Sequence, residues 1–184
     1  MRIEQTPLKD CFIVHEKVHG DGRGYFIETF NQRDFYAATG LDIFFVQDNQ
    51  SRSIKGVLRG LHMQRGESAQ AKLVRVLEGS VLDVAVDLRK GSPSFGKHFS
   101  IELTADNHKQ FFVPAGFAHG FVVLSSTANF FYKVDKFYEP GNEVGIMYND
   151  PALNIDWKLA ESDIILSEKD KTLRSFTDYC CSLK

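Results

Sequence analysis

Two histidines stand in settings where an imidazole could do chemistry. His62 lies in Arg59-Gly-Leu-His62-Met-Gln64, and His119 in Pro114-Ala-Gly-Phe-Ala-His119-Gly120. An unperturbed imidazole titrates at about pH 6.5, close to working pH, which suits it to proton transfer. Other polar groups fall in step with large apolar residues. Glu28 does so with Phe26 and Phe30, Gln47 and Asn49 with Phe45, and His119 with Phe117 and Phe121. Tyr132 keeps step with Phe130 and Val134, and Lys72 with Val74 and Val76. A half-buried strand ordinarily keeps its polar side chains on the wet face. A polar group among apolar ones is costly to desolvate unless it finds partners. An edge strand or a satisfied core group explains any one case, but their recurrence on separate strands points to a ligand cavity.

A metal is not expected there. A His-x-His pair with a later Glu is a common metal-binding set, but this chain reads His62-Met63-Gln64, without the second imidazole. Gln64 is a poor substitute for a transition metal that favours nitrogen. The alternative metal set would be His62, His119 and a carboxylate. His108, in the polar turn Asp106-Asn107-His108-Lys109, is expected to be solvated. The chain has no glycine-rich phosphate loop, nucleophile elbow or CxxC motif.

The elements that would position these groups read mostly as strands. Period-two patterns run through Gly24–Phe30, Phe44–Gln50, Val57–His62, Lys72–Leu77, Val81–Leu88, His98–Leu103, Phe117–Leu124 and Asn129–Asp135. Turn signals separate them, among them Glu78-Gly79-Ser80, Pro114-Ala115-Gly116 and Glu139-Pro140-Gly141. Short strands at this spacing, without long alternating helices, indicate an all-β sandwich or barrel. Asn31 caps a short helix through Ala38 that Gly40 closes. Ser167-Glu-Lys-Asp170 resembles a capping box, so the tail from about Ser167 is read as partly helical.

The 184 residues suit one domain, with a core over about 20–150 and a helical tail over about 160–184. Hydrophobic residues at 43% and charged residues at 25% exclude bulk disorder. A net charge of -2, from 22 basic and 24 acidic side chains, argues against a nucleic-acid partner. No apolar run approaches the roughly 18 residues of a spanning helix, so no membrane role is expected. The opening MRIEQTPLKD lacks the apolar stretch of a secretory signal. Three cysteines, Cys11, Cys180 and Cys181, are too few and too awkwardly placed for a disulfide framework. A cytoplasmic setting is expected.

Taken together, the motifs resemble the dTDP-4-dehydrorhamnose 3,5-epimerase family. The resemblance runs through Asp21-Gly-Arg-Gly24, Phe45-Val-Gln-Asp-Asn49, Arg59-Gly-Leu-His62, Lys72-Leu-Val-Arg75 and Asp83-Val-Ala-Val-Asp87. It continues through Ser92-Pro-Ser-Phe-Gly96, Pro114 to Gly120, Tyr132-Lys133, Tyr148-Asn-Asp-Pro151 and Ser167 to Asp170. It implies a cupin-type double-stranded β-helix jelly roll with short N- and C-terminal helical segments, needing no metal or other cofactor. It also implies a homodimer that shares pocket residues between subunits. The implied reaction inverts dTDP-4-dehydro-6-deoxy-D-glucose at carbons 3 and 5 in dTDP-L-rhamnose biosynthesis. The alternatives are a single-position epimerase of a related dTDP-4-keto-deoxysugar and a non-catalytic sugar-nucleotide-binding cupin. A metal-dependent cupin oxygenase or isomerase is a further one.

Carried over position by position, the resemblance makes His62 the base, Tyr132 the acid, Asp170 the partner of His62, and Lys72 a support for the developing oxyanion. Arg23, Phe26, Glu28, Gln47, Asn49, Arg59, His119, Tyr138, Glu143 and Lys169 match positions around the nucleotide sugar. Of these, Arg23, Phe26 and Glu28 would come from the neighbouring subunit. Met63, Ala71 and Tyr148 depart from the usual residues and bear on pocket shape. Asp83 is read as partner to a nearby cation such as Lys72.

The chemistry suits these types. A ketone at carbon 4 acidifies the hydrogens on carbons 3 and 5, so inversion needs a base on one face and a proton donor on the other. A phenol, ordinarily titrating near pH 10, is protonated at neutrality. Cations beside the enolate supply electrostatic stabilisation. Each role has a plainer alternative: Asp170 as a helix cap, Tyr132 as a core aromatic, Lys72 reaching solvent, Asp83 in a structural ion pair. Strict alternation also puts Arg59 and His62 on opposite faces, whereas the resemblance has both touching ligand. A bulge at Gly60, or binding at the barrel rim, would reconcile them.

Overall fold

The computed structural model describes residues 1–183. In chain order the strands are β1 (Arg2–Gln5), β2 (Phe12–His15), β3 (Val18–Asp21) and β4 (Gly24–Ile27), then helix α1 (Gln32–Thr39). β5 (Gln47–Ile54), β6 (Leu58–Gln64), β7 (Lys72–Glu78), β8 (Ser80–Asp87) and β9 (His98–Thr104) follow. Next come β10 (Lys109–Val113), β11 (Phe117–Val123), β12 (Thr127–Val134), β13 (Glu143–Gly145) and helix α2 (Phe176–Cys181).

The strands form two facing antiparallel sheets and a separate hairpin. One sheet has the order β1-β2-β10-β7-β12-β5, the other β13-β6-β11-β8-β9, and β3 and β4 form a two-stranded sheet of their own. Between the sheets, alternate side chains of both interleave: Val74 and Val76, Phe111 and Val113, and Phe130 from one; Val81 and Ala85, Phe117 and Phe121, and Leu103 from the other. This is the jelly-roll arrangement expected of the chain, and the cavity opens at one end of the same interlayer space.

The outer faces are covered as well. Phe35 of α1 is fully buried and packs beside Phe12, Phe30, Phe45 and Phe112 over the six-stranded sheet. Asn31 caps α1 by accepting from the backbone N–H groups of Arg33 and Asp34, and Gly40 ends it at φ 71°. Over the five-stranded sheet lies the chain beyond residue 145, anchored by Ile146, Tyr148, Trp157 and Tyr179. Trp157 donates from its indole nitrogen to the Tyr148 carbonyl at 2.9 Å.

Several expectations need correction. The sheet core begins well before residue 20, because β1 and β2 are part of the six-stranded sheet. The strand foreseen over Gly24–Phe30 stops at Ile27, since β4 has a single pairing partner and Phe30 turns away to pack on Phe35 and Phe45. The tail is less helical than its capping signal suggests. It holds single 3-10 turns at Glu161–Asp163 and Asp170–Thr172 before the six-residue α2, which Ser175 caps. His108 is half-buried rather than solvated, its ring 4.7 Å from that of Tyr25. Ala71 and Tyr148 pack in the outer clusters and not against the cavity. Among the described residues no helix is long and apolar enough to cross a membrane.

Candidate active site

A cavity of about 530 Å³ opens between the two sheets. That lies in the range of small-molecule sites. His62, Arg59 and Gln64 reach it from β6 and His119 from β11, all on the five-stranded sheet. Lys72, Tyr132 and Asn49 reach it from β7, β12 and β5 of the opposing sheet. His62 and Tyr132 therefore project into one space from facing walls.

Both Arg59 and His62 line this cavity because β6 carries an extra residue. His119 is opposite His62 and Phe121 is opposite Arg59, so Gly60 and Leu61 together face the single Gly120. The added residue shifts the alternation, so that Arg59, His62 and Gln64 all line the cavity, while Leu61 packs in the outer cluster and Leu58 and Met63 belong to that cluster and also border the cavity. Glycine is required at the bulge: Gly60 has φ 134°, and a Cβ there would lie 2.6 Å from the Gly120 Cα.

Asp170 reaches His62 through the tail. Ile165 pairs with Val57 at the start of β6, donating to Gly56 at 2.8 Å while its carbonyl accepts from Leu58 at 3.0 Å. The chain then turns at Ser167, whose hydroxyl accepts from the Asp170 N–H at 3.1 Å. That turn aims the Asp170 carboxylate at His62 Nε2, 2.5 Å away. Asp170 is 5% exposed. Burial alone would raise its pKa, but the His62 hydrogen bond and charge outweigh this and hold the carboxyl below its ordinary range.

Glu143 stands on the other side of the ring, because β13 pairs with β6 and sets Gly145 opposite His62. Its Oε1 is 3.8 Å from His62 Nδ1, and its Oε2 accepts from both Tyr138 Oη and Lys169 Nζ at 2.6 Å. Burial opposes the charge on Glu143, but Lys169, Tyr138 and His62 together hold its carboxyl below the usual value. The same contact raises the Tyr138 phenol and the Lys169 ammonium.

Across the cavity, burial and then the Glu143 charge push the Tyr132 phenol above its ordinary value, against the pull of Arg59. Lys72 is drawn out of water, which lowers it to about 8 despite Glu143 and Asp83. Asp83 is fully buried and accepts from His119 Nε2 at 2.8 Å, so its direct partner is a histidine and not Lys72. Its second oxygen has no hydrogen-bond partner among the described residues.

The remaining site candidates divide. Asn49 lines the cavity, whereas Gln47 lies beside it and donates to Asn49 Oδ1 at 2.8 Å. Arg23, Phe26 and Glu28 are outside the single-chain cavity. Arg23 pairs with Asp21 in the hairpin, Phe26 is 69% exposed, and Glu28 accepts weakly from Asn31. Sequence reasoning missed Ser53, which accepts from Arg59, and Gln64 and Gln70, which brace the 136–139 loop. Ser53 keeps step with Ser51 on β5, but small hydroxyls on an edge strand carry little signal.

The chain matches the family model described as dTDP-4-dehydrorhamnose 3,5-epimerase over residues 5–178. It is 50% identical to the dTDP-4-dehydrorhamnose 3,5-epimerase of Pseudomonas aeruginosa, covering 98% of this chain and 99% of that one. A crystal structure of the enzyme of that name from Elizabethkingia anophelis superposes with a TM-score of 0.94 at 57% identity, covering 97% of each chain. The dTDP-6-deoxy-D-glucose-3,5-epimerase of Legionella pneumophila, solved with dTDP-4-keto-L-rhamnose, superposes at 0.92 with 47% identity over 96% of this chain and 93% of that one. Sequence and fold agree along nearly the whole length, and the chain belongs to the dTDP-4-dehydrorhamnose 3,5-epimerase family.

Proposed function

We propose that the cavity takes dTDP-4-dehydro-6-deoxy-D-glucose and inverts it at carbons 3 and 5 to dTDP-4-dehydro-L-rhamnose. The observation that carries this reading is the placement of an imidazole and a phenol on facing walls of one cavity. With its Nε2–H held by Asp170, His62 keeps Nδ1 as the lone-pair nitrogen and removes a proton from the carbon beside the ketone. The electron pair moves into an enolate whose oxygen is stabilised by the Lys72 ammonium. Tyr132, kept protonated by burial, returns a proton from the opposite face. His119, held by Asp83, and Arg59, Asn49, Tyr138 and Lys169 contact the sugar and diphosphate. The reaction is redox-neutral and is carried here by side chains alone. The product settles the matter: coupling constants for inverted carbons 3 and 5 support the reading, and unchanged starting sugar refutes it.

Lys72 gives this mechanism a pH limb. The ammonium is charged below about pH 8 and neutral above, so turnover should fall as pH rises through that value. Lys72→Met should lower turnover by about a hundredfold, the scale of losing one oxyanion contact, and remove the limb. A parental profile that stays flat between about pH 7 and 9 would take the lysine charge out of the mechanism.

The working unit we propose is a homodimer of single cupin domains in the cytoplasm, with Arg23, Phe26 and Glu28 reaching the partner's nucleotide. Support comes from the projecting hairpin, with Tyr25 61% and Phe26 69% exposed, and from the open edge of β5. An unpaired edge flanked by exposed aromatics is a natural place for a second chain to add. The described cysteines are free, as suits a reducing compartment. Light scattering should give twice the 20.9 kDa chain mass. A monomer at assay concentration would end the shared-pocket proposal.

A further inference from the structure

Inverting two carbons with one imidazole and one phenol creates a requirement of its own. After the first inversion His62 holds the proton taken from carbon, and Tyr132 has given its proton away. Neither can serve the second carbon until His62 is emptied and Tyr132 refilled. Asp170 cannot empty it, because Asp170 engages Nε2 while the substrate proton arrives at Nδ1.

Glu143 is placed on the Nδ1 side. Its Oε1 is 3.8 Å from that nitrogen, within reach of a small rotation or one bridging water. Its Oε2 is bound by Tyr138 and Lys169, side chains that open to solvent, with Tyr138 47% exposed. Glu143 itself is mostly shielded, its side chain 14% exposed. One carboxylate thus joins the inner imidazole to the cavity mouth. We propose that Glu143 is the proton relay that resets His62 between the two inversions. The proposal rests on the epimerase reading of the same cavity and adds a residue role to it.

The steps balance. The C–H bond breaks toward His62 Nδ1 and its electrons enter the enolate. The Tyr132 O–H bond breaks toward carbon on the far face. The Nδ1 proton then passes to Glu143 Oε1 and on to water beside Tyr138, and water returns a proton to the Tyr132 phenolate. No electrons enter or leave. Because Lys169 and Tyr138 keep Glu143 ionised, it is empty when the proton arrives and binds it only in passing.

The test compares exchange at the two carbons in D2O during a single turnover of dTDP-4-dehydro-6-deoxy-D-glucose, with circular dichroism showing that each variant is folded. In Glu143→Gln the ratio of the second exchange rate to the first should fall about a hundredfold, the low end for a positioned proton carrier. Sugar inverted at one carbon should accumulate. Glu143→Asp, which keeps the carboxylate, should restore much of the ratio, and formate should restore second-carbon exchange to Glu143→Ala in proportion to its concentration. If both exchanges slow equally in Glu143→Gln, or neither the aspartate nor formate restores the second, the relay is wrong while the epimerase reading stands. Absence of exchange at either carbon in the parental protein overturns both.

Discussion

Replacing His62 with alanine should abolish solvent deuterium exchange at carbon 3 and at carbon 5 together. If one imidazole draws protons from both positions, no residual pathway remains for either. The loss should reach about 10⁴-fold, the upper range for a positioned general base. The same variant should lose stability, because it leaves the carboxylate of Asp170 buried with no imidazole to answer it. Breaking a buried pair in this way costs about 3 kcal/mol. Urea unfolding should therefore report a lower midpoint for His62→Ala at neutral pH. The difference should shrink as pH falls. Asp170 is held below its unfolded pKa by His62, so the stability from this contact is full above that value and is lost as pH falls through the folded pKa. A variant that still exchanges label at one carbon would mean a second base serves that position.

Tyr132→Phe separates removal of the proton from its return. The hydroxyl is lost while the ring that packs beside Phe130 remains, so the cavity wall keeps its shape. Exchange of label into the starting sugar should persist, since His62 can remove a proton and return a solvent-derived one to the same face. Net inversion should fall by about 10²-fold or more, because the opposite face has no donor. The informative quantity is the ratio of exchange to inversion, read by NMR from one sample. Equal losses in both would assign Tyr132 to binding or to the cavity wall.

Much of this architecture is legible in the chain itself, and the gaps have physical reasons. β7, β8, β9, β11 and β12 announce themselves through turn residues at their ends, and α1 through Asn31 and Gly40. β2 and β10 are harder to read, because they are only four and five residues long and both of their faces are buried. Ile13 and Phe111 point into the interlayer core while Phe12 and Phe112 pack under α1, so neither strand alternates. β1 is polar and lies at an edge, which leaves it no pattern. The clash between Arg59 and His62 was visible as a conflict of parity at Gly60, but its resolution depends on the register with β11, which no local signal encodes.

The site shows the same division. Residue types pointed to an acid, a base and a cation in a cavity, whereas their pairing depends on which strands become neighbours. Asp83 meets His119 because β8 lies beside β11, and Glu143 meets His62 because the short β13 adds to β6. Asp170 arrives from more than a hundred residues away, on a turn whose sequence reads equally well as a helix start. The family resemblance implies the Asp170–His62 pair alone; it gives neither the Asp83–His119 nor the Glu143–His62 contact, and periodicity gives none of the three.

The most direct test is a crystal structure of the protein with a dTDP-keto-hexose bound. The expected complex has the hexose ring between the two sheets, His62 Nδ1 on one face and Tyr132 Oη on the other, each about 3–3.5 Å from a carbon flanking the ketone. A sugar ring lying outside the cavity, or one with both side chains against the same face, would contradict the mechanism.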